Sequence, residues 1–149
     1  DISDPTNPTL ANSLVDNTDL DGARAVKVVG NYAYVAAYYS DALVIVDISN
    51  PSSLSKVGSL TTQDMNGAHG LDVAGNYAYV ASQLRSSLTI IDVSNVATPT
   101  QVGYLWDGTF FTWARDVAVS GDYAYVVASH TSYLTVVDVA DRTAPAIVG

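Results

Sequence analysis

Cysteine and glutamate are both absent from the 149 residues, and lysine and arginine together number only six. Without cysteine the chain has no disulfide framework and no thiolate metal site, and nothing in it marks a redox compartment. Without glutamate, all 15 acids are aspartate, a residue of turns and strand ends, so the composition argues for a loop-rich sheet protein and against helices. The shortage of cations leaves a net charge of -9, which repels nucleic acid and anionic membrane surfaces and favours cationic partners or calcium. No apolar run approaches the roughly 20 residues needed to cross a bilayer, so no membrane insertion is expected. The opening residues have no signal-peptide pattern, and the chain reads as a mature or excised piece.

What is present is repetition. Gly30-Asn-Tyr-Ala-Tyr-Val35 returns as Gly75-Asn-Tyr-Ala-Tyr-Val80 and as Gly121-Asp-Tyr-Ala-Tyr-Val126. Each is followed by an apolar run: Leu43-Val-Ile-Val-Asp-Ile48, Leu88-Thr-Ile-Ile-Asp-Val93 and Leu134-Thr-Val-Val-Asp-Val139. The glycines at 30, 75 and 121 are spaced by 45 and then 46 residues, and strands at such a period mean a solenoid or a propeller. In the first repeat, Ala25 to Val29 alternates, Gly30-Asn31 supplies a hairpin turn, and Tyr32 to Tyr38 makes an aromatic second strand. Leu43 to Ile48 is apolar on both faces, as a strand buried between two sheets would be. Asn50-Pro51 breaks the ladder, and Lys56 to Thr61 forms an outer strand with the charge and hydroxyls of an edge. Four antiparallel strands per unit describe a propeller blade. Ala25 and Gly70 fit the taper of an innermost strand toward a crowded axis; Asp116 replaces them in the third repeat and hints at polarity in the channel.

These motifs resemble the LVIVD repeat, a bacterial and archaeal propeller repeat found mostly in secreted or surface-attached proteins. The resemblance covers nearly the whole chain and implies a secreted or cell-surface location; members are mostly of unassigned role. Ser94-Asn95-Val96 and Ala140-Asp141-Arg142 depart from the Ser-Asn-Pro turn. The expected architecture is all-β, with blades of four antiparallel strands: residues 1–16 end a preceding blade, 17–61 and 62–106 are blades, and 107–149 is a blade with a truncated outer strand. Asp1-Ile-Ser-Asp-Pro5 matches Asp47-Ile-Ser-Asn-Pro51 and Val148-Gly149 matches Val57-Gly58, so about three blades and one extra strand make an open arc or part of a larger propeller. Closed propellers have roughly 4–8 blades, so the open edges are expected either to meet further blades or to self-associate in a ring or filament.

Arg24, His69 and Arg115 hold one repeat position just before the innermost strand. A propeller would point them at the channel mouth, as a cationic ring for an anionic ligand or as scaffold groups bonded to loop carbonyls and to Asp41 or Asp116. Asp47, Asp92 and Asp138 recur as turn braces. Asn17-Thr-Asp19-Leu-Asp21-Gly22 resembles the first half of a calcium loop, and Asp64-Met-Asn66-Gly67 repeats part of it. The bidentate acid is missing, so calcium would be held weakly, and a shared turn explains the same residues; no other cofactor is implied. Trp106, Phe110, Phe111 and Trp113 include every Trp and Phe of the chain, in a loop that breaks the repeat. Such rings stack on sugars or anchor protein interfaces, or else fill the gap between blades. His69 and His130 lie far apart, and neither a Gly-x-Ser-x-Gly elbow nor a phosphate loop occurs, so no enzyme activity is expected. The readings that remain are an extracellular module for protein or glycan binding and adhesion, a structural subunit of a self-assembling layer or filament, and a part of a larger propeller enzyme whose active site lies outside this segment.

Overall fold

The computed structural model describes all residues from Asp1 to Gly149. Twelve strands form three separate four-stranded antiparallel sheets, each with its strands in chain order. The first blade holds β1 (Ala23–Val29), β2 (Tyr32–Ala37), β3 (Ala42–Asp47) and β4 (Ser55–Thr61). The second holds β5 (Ala68–Ala74), β6 (Tyr77–Ser82), β7 (Ser87–Asp92) and β8 (Thr100–Trp106). The third holds β9 (Ala114–Ser120), β10 (Tyr123–Ala128), β11 (Tyr133–Asp138) and the two-residue β12 (Ala146–Ile147). A single 3-10 turn at Gln63–Met65 is the only helical element. Residues 1–16 carry the sequence of a blade end but form no strand.

The blades pack face to face, and the repeat sequence explains why. Alternation brings Tyr34, Ala36, Leu43 and Ile45 of the first blade against Leu71, Val73, Ala78 and Val80 of the second, in one buried cluster with Met65. Tyr79, Ala81, Leu88 and Ile90 of the second blade meet Val117, Ala124, Val126 and Val137 of the third in the same way. The third strands therefore bury both faces where a neighbour exists on each side: Ser87 to Ile91 of β7 are all buried. In β11, which has a neighbour on one side only, Tyr133 and Leu134 are exposed while Thr135 and Val137 are buried. At the opposite end of the arc, Val26 and Val28 of β1 are 64% and 56% exposed. Leu14 and Leu20 cover part of that first blade face.

Close approach is built into the repeat by small residues. A side chain at Gly70 would collide with the Asp116 Cα of the next inner strand, and side chains at Gly58 and Gly103 would strike the Val96 and Arg142 carbonyls of the following blades. Asp72 then ties the three inner strands together. Its Oδ1 lies 2.8 Å from Lys27 Nζ of the first blade, and its Oδ2 accepts from the Val119 amide of the third at 2.8 Å. Burial pushes the Asp72 carboxyl up, but Lys27 and the amides of Val119 and Val73 outweigh it and hold it below the usual carboxylate range. The contribution of this tie is present above the unfolded pKa and is lost as pH falls through the depressed folded value.

Ile90 has no exposed surface and lies in the cluster between the second and third blades. Replacing it with alanine removes buried methylenes from a site walled on both sides, and a loss of about 2–5 kcal/mol is expected in denaturant unfolding. An unfolding midpoint unchanged from the parent would contradict the two-sided burial of β7.

Candidate functional site: the channel mouth and its aromatic rim

In every blade the first strand bulges at its second residue. Ala23 and Ala25 pair with Ala37 and Ala36, Ala68 and Gly70 with Ser82 and Ala81, and Ala114 and Asp116 with Ala128 and Val127. Arg24, His69 and Arg115 are left as the extra residues. They lie inside the strands rather than just before them, since the ladder starts earlier than the sequence suggests. A bulge re-aims a side chain, and these three, one from each blade, line a single open cavity of about 290 Å³ with Ala25, Gly70 and Asp116.

The three basic positions do not behave alike. His69 Nδ1 lies 2.9 Å from the Arg115 carbonyl oxygen and Nε2 lies 3.0 Å from Arg115 Nη1. The carbonyl can only accept and the guanidinium can only donate, so the imidazole is neutral with its proton on Nδ1. Burial lowers the His69 pKa, and the Arg115 and Arg24 charges lower it further against the opposing Arg115 carbonyl. Arg115 Nε also donates to Ser129 Oγ at 3.0 Å. The Arg24 guanidinium sits 4.6 Å over the Tyr38 ring, and Tyr38 is edge-on to His69 at 6.4 Å. Neither arginine meets an aspartate. Lys27, Lys56 and Arg85 all do. The two acids expected as scaffold partners are engaged elsewhere: Asp41 accepts from Asn66 and Gly67, and Asp116 Oδ1 accepts from the Val117 amide.

The loops leading into the first strands also repeat, although their sequences conceal it. Leu20, Met65 and Phe111 each stand three residues before a first strand and pack into the apolar clusters, Phe111 and Met65 with no exposed surface. Phe111 is thus interblade filler, which removes it from the expected contact surface. Gly22 and Gly67, directly before β1 and β5, have φ of +70° and +72°. The residue in that place before β9 is Trp113, at φ +59°. A left-handed backbone strains a bulky side chain by about 1–2 kcal/mol, so the third blade carries a strained tryptophan where the others use glycine. Trp113 is 46% exposed and lies 4.9 Å from the His130 ring. Trp106 is 57% exposed and Phe110, packed 5.2 Å from Tyr133, is 36% exposed.

Three of the five residues considered for calcium hold other side-chain partners. Asp19 accepts from Lys56 Nζ at 2.9 Å and from Ser59 Oγ at 2.8 Å. Asp64 accepts from Gln101 Nε2 at 2.8 Å, Asn66 donates to Asp41 at 2.9 Å, and the Asp21 amide is bonded to Ser40 Oγ. Asn17 is exposed. No three acidic or histidine side chains converge on one point. Beside this loop, Asp16 is bonded to Lys56 Nζ and to the Asp19 and Thr18 amides, which bring its pKa down to about 2. Asp47, Asp92 and Asp138 brace their turns through the amides of Ser49, Ser94 and Ala140 at 2.8 to 2.9 Å.

Comparison with known proteins agrees with this architecture. The family model described as LVIVD repeat matches residues 1–16, 22–62, 67–105 and 113–149. No curated protein matches the chain. Among solved structures, a protein of unknown function from Desulfotomaculum acetoxidans superposes with a TM-score of 0.73 at 15% identity, over 86% of this chain and 41% of that one. The periplasmic gluconolactonase of Pseudomonas aeruginosa gives 0.70 at 17%, over 87% and 41%. Hydrazine synthase of Kuenenia stuttgartiensis gives 0.70 at 18%, over 87% and 36%. The chain thus spans about two fifths of the length of the structures it resembles, and the likeness is one of fold.

The bonding of His69 fixes its titration. Nitrogen-15 spectra are expected to show a neutral imidazole protonated on Nδ1 at pH 6.5, its ordinary midpoint, with titration only at lower pH. A half-charged ring at that pH would contradict the Arg115 clamp.

Proposed function

Because this chain belongs to the LVIVD repeat family, we propose that it serves a secreted or surface-attached protein as a non-enzymatic propeller module that binds carbohydrate on its channel-mouth face. The observation that carries the reading is Trp113. Backbone strain at a bulky residue persists only where the surrounding structure over-determines it, and it clusters at functional sites; this ring is half exposed at the end of the loop that opens onto Arg115, with exposed Phe110 three residues before it in the chain. Aromatic faces of this kind stack on the apolar faces of sugars and also anchor protein partners; a protein ligand is the alternative outcome of the test below. A binding role is also favoured over catalysis by the state of His69. Both its ring nitrogens are committed to Arg115, so it is not poised to take or give a proton. The gluconolactonase likeness concerns the fold, and catalysis would fall to residues outside this segment.

A structural role in an assembled layer or filament is the second reading, favoured by the apolar surfaces at the two ends of the arc. Val26 and Val28 at one end and Tyr125, Val127 and Leu134 at the other are all more than a third exposed, and adhesion and assembly can share one scaffold.

Trp113→Gly separates contact from filler. Glycine relieves the left-handed strain while adding about 0.5–1 kcal/mol of chain entropy cost, so stability within about 1 kcal/mol of the parent is expected. Retention on immobilised glycans should be lost at the same time, and Trp106→Ala should weaken it. Retention unchanged in Trp113→Gly, with a lowered melting temperature, would mean that the ring is structural; retention only on a protein partner would move the ligand class from carbohydrate to protein.

A further inference from the structure

We infer that the cavity between Arg24, His69 and Arg115 is a subsite for the carboxylate of an acidic sugar, an inference that rests on the carbohydrate-binding reading and names its ligand class. The argument begins with unmatched charge. On a chain with 15 aspartates and six cations, acids are easily found, and Lys27, Lys56 and Arg85 each have one. Arg142 instead donates to the Ala140 carbonyl and lies over the Tyr77 ring. Arg24 and Arg115 stay without an aspartate although both line one cavity of about 290 Å³. Their placement is imposed by backbone bulges, so the side chains are aimed there by the fold.

The geometry also prepares them. Arg115 is locked by Ser129 and by neutral His69, which spends Nε and one Nη1 hydrogen and leaves the Nη2 donors unassigned. Arg24 rests 4.6 Å over the Tyr38 ring with no hydrogen bond to protein, so all of its guanidinium donors are open to a ligand. Because His69 is held neutral, the mouth carries two guanidinium charges, that of Arg115 fixed by hydrogen bonds, beside an uncharged ring. Two guanidinium groups suit a carboxylate, which accepts paired N–H bonds.

Asp116 makes the ligand a hydroxylated acid. It lines the same cavity and is exposed, with Oδ1 on the Val117 amide and Oδ2 without a protein partner. A carboxylate can only accept, so Asp116 attracts hydroxyl donors and disfavours a doubly charged phosphate more than a singly charged carboxylate. The strand carrying Arg115 and Asp116 begins right after Trp113. An acidic sugar therefore finds donors for its carboxylate, an acceptor for its hydroxyls and an aromatic face within four residues of chain.

The test is an amide chemical-shift titration of the intact chain with D-glucuronate, D-glucose and inorganic phosphate, repeated on Arg24→Met and Trp113→Gly. Arg24→Met keeps an apolar stem over Tyr38 and alters an exposed residue, so the fold survives. The expected result is saturable glucuronate shifts around His69 and Arg115, with affinity reduced about tenfold or more in Arg24→Met and weaker shifts for glucose and phosphate. The inference is overturned if glucuronate gives no shifts at the mouth, if Arg24→Met binds it as the parent does, or if phosphate binds as tightly. Glucose binding that depends on Trp113 and ignores Arg24 would overturn the acidic subsite while leaving the carbohydrate surface standing. Glucuronate binding that needs Arg24 and ignores Trp113 would support the subsite and remove the aromatic surface from the account.

Discussion

Each blade is apolar on both faces, and every other feature follows from the need to cover them. A sheet packed on one side alternates buried and exposed residues, but the central runs here turn mostly apolar residues to both sides, so a blade is fully covered only between two neighbours. The glycines at 58, 70 and 103 are the geometric consequence, since they let the next blade's backbone come close enough to seal the interface. Asp72 supplies the polar counterpart. It reaches the inner strands on both sides at once, and a buried acceptor satisfied from two blades fixes their relative position in a way that apolar contact alone does not.

A scaffold under this constraint makes its exceptions informative. Where the same position recurs with the same role, as with the turn braces Asp47, Asp92 and Asp138, the residue belongs to the fold. Where one blade breaks the pattern at a cost, the exception is what the proposed binding role rests on. Trp113 occupies the left-handed place of Gly22 and Gly67, and Asp116 occupies the place of Ala25 and Gly70. Both departures fall in the third blade and flank Arg115, so the polar and aromatic exceptions gather at one side of the channel mouth.

The blade order, the strand sequence and the two-sided burial of the third strand were legible from the 45-to-46-residue period, because close packing forces every repeat to carry the same apolar alternation. Strand starts were less legible, since the bulges at Arg24, His69 and Arg115 hide the first ladder pair. The aromatic loop was half legible. Its exposed rings stand out by size, but Phe111 looked like one of them because its equivalents, Leu20 and Met65, share hydrophobicity and not identity. The strain at Trp113 could have been read by aligning it with Gly22 and Gly67. The neutral state of His69 could not, because it depends on the Arg115 side chain arriving from another blade. The carboxylates of the apparent calcium loop likewise depend on Lys56, which lies 40 residues from Asp16 and 37 from Asp19.

The central claim is that a blade needs a neighbour on each face, and the two ends of the arc expose it most directly. Val26 and Val28 on the first blade present the same kind of surface that Leu71 and Val73 bury on the second, while Tyr125 and Leu134 on the third present the surface that Tyr79 and Leu88 bury. Two copies of this chain can therefore cover each other's ends by the contacts already made twice within one. Light scattering on the purified chain measures this without further assumptions. The account predicts a mass of at least two copies of the 15.7 kDa chain; a cooperatively folded species at 15.7 kDa, with both end faces left in water, would contradict it.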